Sequence, residues 1–118
     1  MLIEGYDFDI SDEETSKKFA KASLNAQRKF ENYDKECGGK PDYVSIKFQC
    51  NIIRAFLCEV LGEGADKKIL GEKNNLIAVM DTYEKIVLDA LQKRNEMLNK
   101  ARKLRSLAES VQAEDVTE

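Results

Sequence analysis

The chain has 118 residues, 42% of them apolar and 35% charged, with a formal net charge of −3, three cysteines and no histidine. This composition predicts one soluble, helix-rich domain with a modest single core, and it excludes histidine-based metal sites and a disulfide framework. No apolar run approaches the ~20 residues that span a bilayer, so no membrane partner is expected.

Charge is segregated along the chain. Residues 1–16 carry six acids and no base, and residues 109–118 carry four acids and no base. The stretch between them holds 19 basic and 12 acidic residues, a net +7. Met1-Leu2-Ile3-Glu4-Gly5 has neither the basic start nor the apolar core of an export signal. A cytoplasmic protein is therefore expected.

Tyr6, Phe8 and Ile10 alternate with Asp7 and Asp9, the period-two pattern of a short strand with one buried face. Glu4-Gly5 can turn a two-residue strand at Leu2-Ile3 into it, giving a short N-terminal β-hairpin. Asp7-x-Asp9-x-Ser11-Asp12 resembles the opening of a calcium loop, but it lacks the glycine at the sixth position, and Lys18 replaces the closing glutamate. Ser11 as a helix cap, with Glu14 completing a capping box, is the better reading. A first helix is predicted from Asp12 to Lys35, with Phe19, Ala22, Ala26, Phe30 and Tyr33 on one face.

Cys37-Gly38-Gly39-Lys40-Pro41 breaks this pattern, and Asp42 is placed to cap the next helix. That second helix, Tyr43 to Leu61, is the most apolar. Ile46, Cys50, Ile53, Leu57, Val60 and Leu61 form one face and Phe48, Ile52 and Phe56 a second. Lys47, Asn51, Arg54 and Cys58 form a narrow polar stripe, read as a solvated strip. Cys50 and Cys58 are eight residues apart, ~12 Å along a helix, too far to bridge or share a metal.

Gly62-Glu63-Gly64 and Gly71-Glu72-Lys73 look at first like a phosphate loop. The spacing is wrong: six residues rather than four separate Gly64 from Gly71, Asn74 follows Lys73, and the preceding segment reads as a helix rather than a strand. Helix stops explain the same residues. Gly62 ends the second helix, Ala65 to Leu70 form a short helix with Ile69 and Leu70 turned inward, and Gly71 stops it. Asn74 or Asn75 caps a third helix from Leu76 to about Val111.

The third helix would be roughly 50 Å long, more than a small domain needs. Leu76, Met80, Tyr83, Val87, Ala90, Met97, Ala101, Leu104, Ala108 and Val111 follow a seven-residue repeat that Arg94 interrupts. Residues 1–92 read as the helical domain, and 93–118 as an extension of the last helix ending in an acidic tail. Lys100-Ala101-Arg102-Lys103-Leu104-Arg105 is the strongest basic cluster. It lacks aromatic interleaving, and a solvated face near a helix end accounts for it better than nucleic acid does. The fold class is mainly α: three long helices, a short connecting helix and the hairpin. No cofactor, metal or catalytic constellation is expected, so the chain does not read as an enzyme.

Tyr6-Asp7-Phe8-Asp9-Ile10, the acidic helix start, and Gly62-Glu63-Gly64, Ile69-Leu70-Gly71 and Lys73-Asn74-Asn75-Leu76 together resemble a family of small proteins. That family comes from tail-gene clusters of phages and prophages of Gram-positive bacteria. The resemblance covers roughly residues 3–90. It implies a tail assembly chaperone in the bacterial host cytoplasm, a homo-oligomer that binds the tape-measure protein and yields to tail-tube subunits. The contact surface would lie on the second apolar face of helix two and on the far half of helix three, at Phe48, Ile52, Phe56, Leu98 and Leu104. A permanent connector of the tail and a small DNA-binding regulator are the alternatives.

Overall fold

The computed structural model describes residues 1–116, in which a two-stranded hairpin precedes five helices. Strands β1 (Leu2–Ile3) and β2 (Tyr6–Asp7) pair antiparallel, Leu2 opposite Asp7 and Ile3 opposite Tyr6. Glu4 and Gly5 both have positive φ, 45° and 84°, as a two-residue hairpin turn requires. Alternation then sends Phe8 and Ile10 into the core while Asp7 stays outside.

Helix α1 (Glu13–Phe30) is capped by Asp12, whose carboxylate accepts the Thr15 N–H at 3.1 Å. Ser11 was expected in that role. Its N–H and hydroxyl instead donate to Asp9 Oδ1, at 2.9 and 2.6 Å, so it closes the preceding turn. The predicted continuous helix to Lys35 is also broken. Residues 31 and 32 form a turn, and a separate helix α2 (Tyr33–Cys37) follows. Tyr33 is thereby turned toward α3 (Asp42–Leu61), where its hydroxyl lies 2.8 Å from Ser45 Oγ. Asp42 is the first residue of α3 rather than its cap, and Pro41 precedes it with no side-chain cap.

Helix α3 is the centre of the fold. Helices α1, α2, α4 (Ala65–Leu70) and α5 (Leu76–Val116) all pack on it. Both of its apolar faces are used: Ile52, Phe56, Leu57 and Val60 meet α1, the hairpin segment and α5 in one cluster, while Cys50 and Ile53 meet Val79 in a second. Phe56 is fully buried, with its ring edge-on to Phe19 (5.9 Å) and Tyr83 (4.9 Å). Removing a ring of this size from water stabilises the fold by about 1.5–3 kcal/mol.

Helix α4 has the predicted limits. The left-handed residue is Gly64 (φ 84°, ψ −4°), whereas Gly62 and Gly71 combine positive φ with an extended ψ. Asn75 caps α5 by accepting the Ala78 N–H at 3.1 Å. The buried stripe of α5 is Val79, Ile86 and Ala90, with half-buried Leu76 and Tyr83 beside it. Val79 and Ile86 lie outside the predicted repeat, and Met80, inside it, is exposed.

Beyond Ala90 the helix leaves the body. At 1.5 Å per residue, α5 is about 60 Å long, and the molecule measures 75 × 31 × 20 Å. Its radius of gyration is 19.8 Å, against about 13–14 Å for a compact chain of this size. The last two residues of the predicted extension, 117 and 118, lie outside the described residues.

Candidate functional site

The overhanging part of α5 is a long surface that the body leaves uncovered among the described residues. Every residue from Arg94 to Gln112 is exposed. Steps of three and four residues keep side chains on one side of a helix. The stripe buried in the body at Val79, Tyr83, Ile86 and Ala90 therefore continues as Met97, Ala101, Leu104, Ala108 and Val111. Leu104 is 65% and Val111 59% exposed, and Leu98 and Leu107 widen the stripe on either side, each about half exposed. Lys93, Lys100 and Arg105 border it by helical position, and Lys93 pairs with Glu96 at 3.9 Å. A helix this long gains most of its stability from packing an apolar face, and contiguous exposed apolar stripes of this kind mark interaction sites.

The five predicted contact residues divide into three groups. Leu98 and Leu104 lie on the overhang and are open to a partner. Phe48 is half-buried, edge-on to Tyr33 at 6.1 Å, in a groove of about 340 Å³ that exposed Tyr43, Lys47 and Glu36 also line. Ile52 and Phe56 are 4% and 0% exposed and are corrected from contact residues to core. Their face of α3, predicted to await a foreign partner, is covered by the chain's own Phe8, Phe19 and Tyr83. Leu107, exposed beside the same stripe, was not among the predicted contacts; it falls between two heptad positions and is seen only by marking the helix surface residue by residue.

The polar stripe of α3 does not behave as a solvated strip along its length. Lys47 and Asn51 are exposed, but Arg54 and Cys58 fold into the corner between α3, α4 and α5. Arg54 donates from Nε to Asn74 Oδ1 (2.8 Å), from Nη2 to the Lys73 carbonyl (2.8 Å) and from Nη1 to Asp66 Oδ2 (3.2 Å). The planar fork of a guanidinium suits three acceptors arranged in this way. Cys58 Sγ donates to the other Asp66 oxygen at 3.1 Å.

Burial opposes ionisation of Asp66. The hydrogen bonds from Cys58, Arg54 and the Lys67 backbone, with the Arg54 charge, outweigh it and hold the carboxyl below its ordinary value. Burial raises the Tyr83 phenol and the Cys50 thiol above theirs. Tyr83 and Cys50 pack within the two core clusters. The Arg54 cluster is a clamp on the corner.

A small helical protein with a central α3 and a projecting last helix is the class this architecture defines. The chain belongs to a family of unknown function, DUF6673, which spans its residues 3–113. That span includes most of the overhang as well as the body. No curated protein and no solved structure matches the chain.

Proposed function

We propose that this protein acts by binding rather than by catalysis, as a tail assembly chaperone-like protein of a phage or prophage. In this reading it works as a homo-oligomer in the bacterial host cytoplasm, covers apolar helical segments of the tape-measure protein while the tail grows, and releases them as tail-tube subunits polymerise. The observation that carries the reading is the exposed stripe of Met97, Leu98, Leu104, Leu107 and Val111 on a helix projecting from a closed core. Helix-against-helix recognition through anchors at three- and four-residue steps is the mode such a stripe supports. The groove at Phe48 and Tyr43 offers a second apolar contact on the body.

The tail setting comes from the resemblance carried in part by Gly62 to Leu76, which forms the corner that turns α5 back onto α3. Mass spectrometry of purified virions separates a chaperone from a permanent connector. The expected result is absence from the finished particle. Presence in stoichiometric amount overturns the chaperone reading in favour of the connector.

A further inference from the structure

We propose that in the absence of a client the stripe is covered by a second copy of this chain, the two overhanging helices lying antiparallel along one another. Three observations point to this occupant and orientation. The first is continuity: the exposed stripe prolongs the α5 face already buried in the body, so a second helix laid on it extends an existing seam.

The second observation is size alternation. Met97, Ala101, Leu104 and Ala108 alternate large and small. Two parallel helices in register would stack Leu104 on Leu104 and Ala101 on Ala101, giving alternately crowded and empty layers. Antiparallel pairing sets Leu104 against Ala101 of the second copy and Met97 against its Ala108, so each layer has one large and one small side chain. Cores fill best in that way.

The third observation is charge. Residues 93–105 hold six bases and one acid, while residues 109–118 hold four acids and no base. The antiparallel register sets residues 93–105 of one helix beside 100–112 of the other, which hold four bases and one acid, whereas parallel pairing would set the six bases against themselves. The same register places position 115 of one helix beside Ala90 of the other. The overlap therefore ends where the body begins, and the two bodies sit at opposite ends. The interface is isologous and closed, as a two-fold dimer requires.

This pairing deepens the homo-oligomer within the proposed function and explains how an apolar stripe stays soluble before a client arrives: the client helix exchanges for the second copy. It is measured on the purified chain alone, so its failure leaves client binding to be tested separately, and the reverse also holds. Light scattering after size exclusion on the full chain is expected to give a dimer, twice 13.4 kDa. Leu104→Glu is expected to lower the dimer fraction at least tenfold while the body keeps its native melting temperature. A monomeric native chain, or a Leu104→Glu variant that stays dimeric, overturns the pairing. Orientation is read by oxidation in a Cys58→Ser background. The double variant Met97→Cys/Ala108→Cys is expected to form a disulfide-linked dimer and Met97→Cys alone is not. Ready cross-linking of the single variant overturns the antiparallel arrangement.

Discussion

Arg54 holds the corner from which α5 departs, and replacing it by alanine removes three hydrogen bonds to acceptors 12 to 20 residues away in sequence. The Arg54 and Asp66 side chains are only 12% and 16% exposed. Deleting one partner of a buried pair costs about 3–5 kcal/mol. Residual solvent at Asp66, and the freedom of Asn74 and the Lys73 carbonyl to turn to water, reduce this to about 2–3 kcal/mol. For a chain of this size that loss lowers the melting temperature by about 8–15 °C. Arg54→Lys keeps the charge but cannot fork to three acceptors, and is expected to lose about half as much. Thermal and urea unfolding followed by far-ultraviolet circular dichroism measure both variants. An Arg54→Ala protein melting within about 2 °C of the native chain refutes the clamp.

Three further outcomes follow from the same geometry. Asp66 has a folded pKa below its ordinary value of 3.8; the stability it contributes is present above that value and is lost as pH falls through the lower, folded one. Urea unfolding at a series of pH values should therefore show Asp66→Asn less stable than the native chain at pH 7, with a flatter loss on acidification; parallel pH profiles would contradict this. Phe56→Ala empties the meeting point of α1, α3 and α5 and is expected to cost about 3–5 kcal/mol in urea unfolding, so a cost below about 1 kcal/mol would be inconsistent with full burial. At Gly64 an added Cβ meets nothing within 4 Å, so Gly64→Ala isolates the left-handed backbone penalty, about 1–2 kcal/mol in the same assay.

The parts of the fold that were legible in the sequence are those with local chemistry. Gly62, Gly64 and Gly71 bracket α4 without help from the rest of the chain, and alternation at Tyr6, Phe8 and Ile10 marks the buried side of the hairpin segment. Choices between neighbouring residues were settled at longer range. Ser11 and Asp12 both precede an acidic helix start, and the hydrogen bonds to Asp9 decide which of them caps. The break at residues 31 and 32 has no glycine or proline to announce it, and it accompanies the contact of Tyr33 with Ser45 and Phe48.

On α5, the predicted and observed stripes share Tyr83 and Ala90 and diverge at Met80 against Val79 and at Val87 against Ile86. These are one-residue rotations of the same helix, and packing on α3 selects between them. The candidate surface shows the same division. Leu98 and Leu104 were expected on the surface because the far half of the helix has too few local partners, and both are exposed. Ile52 and Phe56 were misread because a doubly apolar α3 implies two partners without saying that both are internal. Arg54 was misread because its acceptors come from α4 and from the segment entering α5.

The central claim is that the overhanging stripe receives an apolar helical client. Its most direct test is co-expression with a candidate tape-measure protein, followed by affinity capture of the tagged tape-measure chain. The tape-measure chain is expected to stay soluble and to bring down the native protein, and Leu98→Glu/Leu104→Glu is expected to abolish both effects while the body melts at its native temperature. A tape-measure chain that aggregates equally with and without the native protein, or that captures the double variant as well as the native chain, would contradict it.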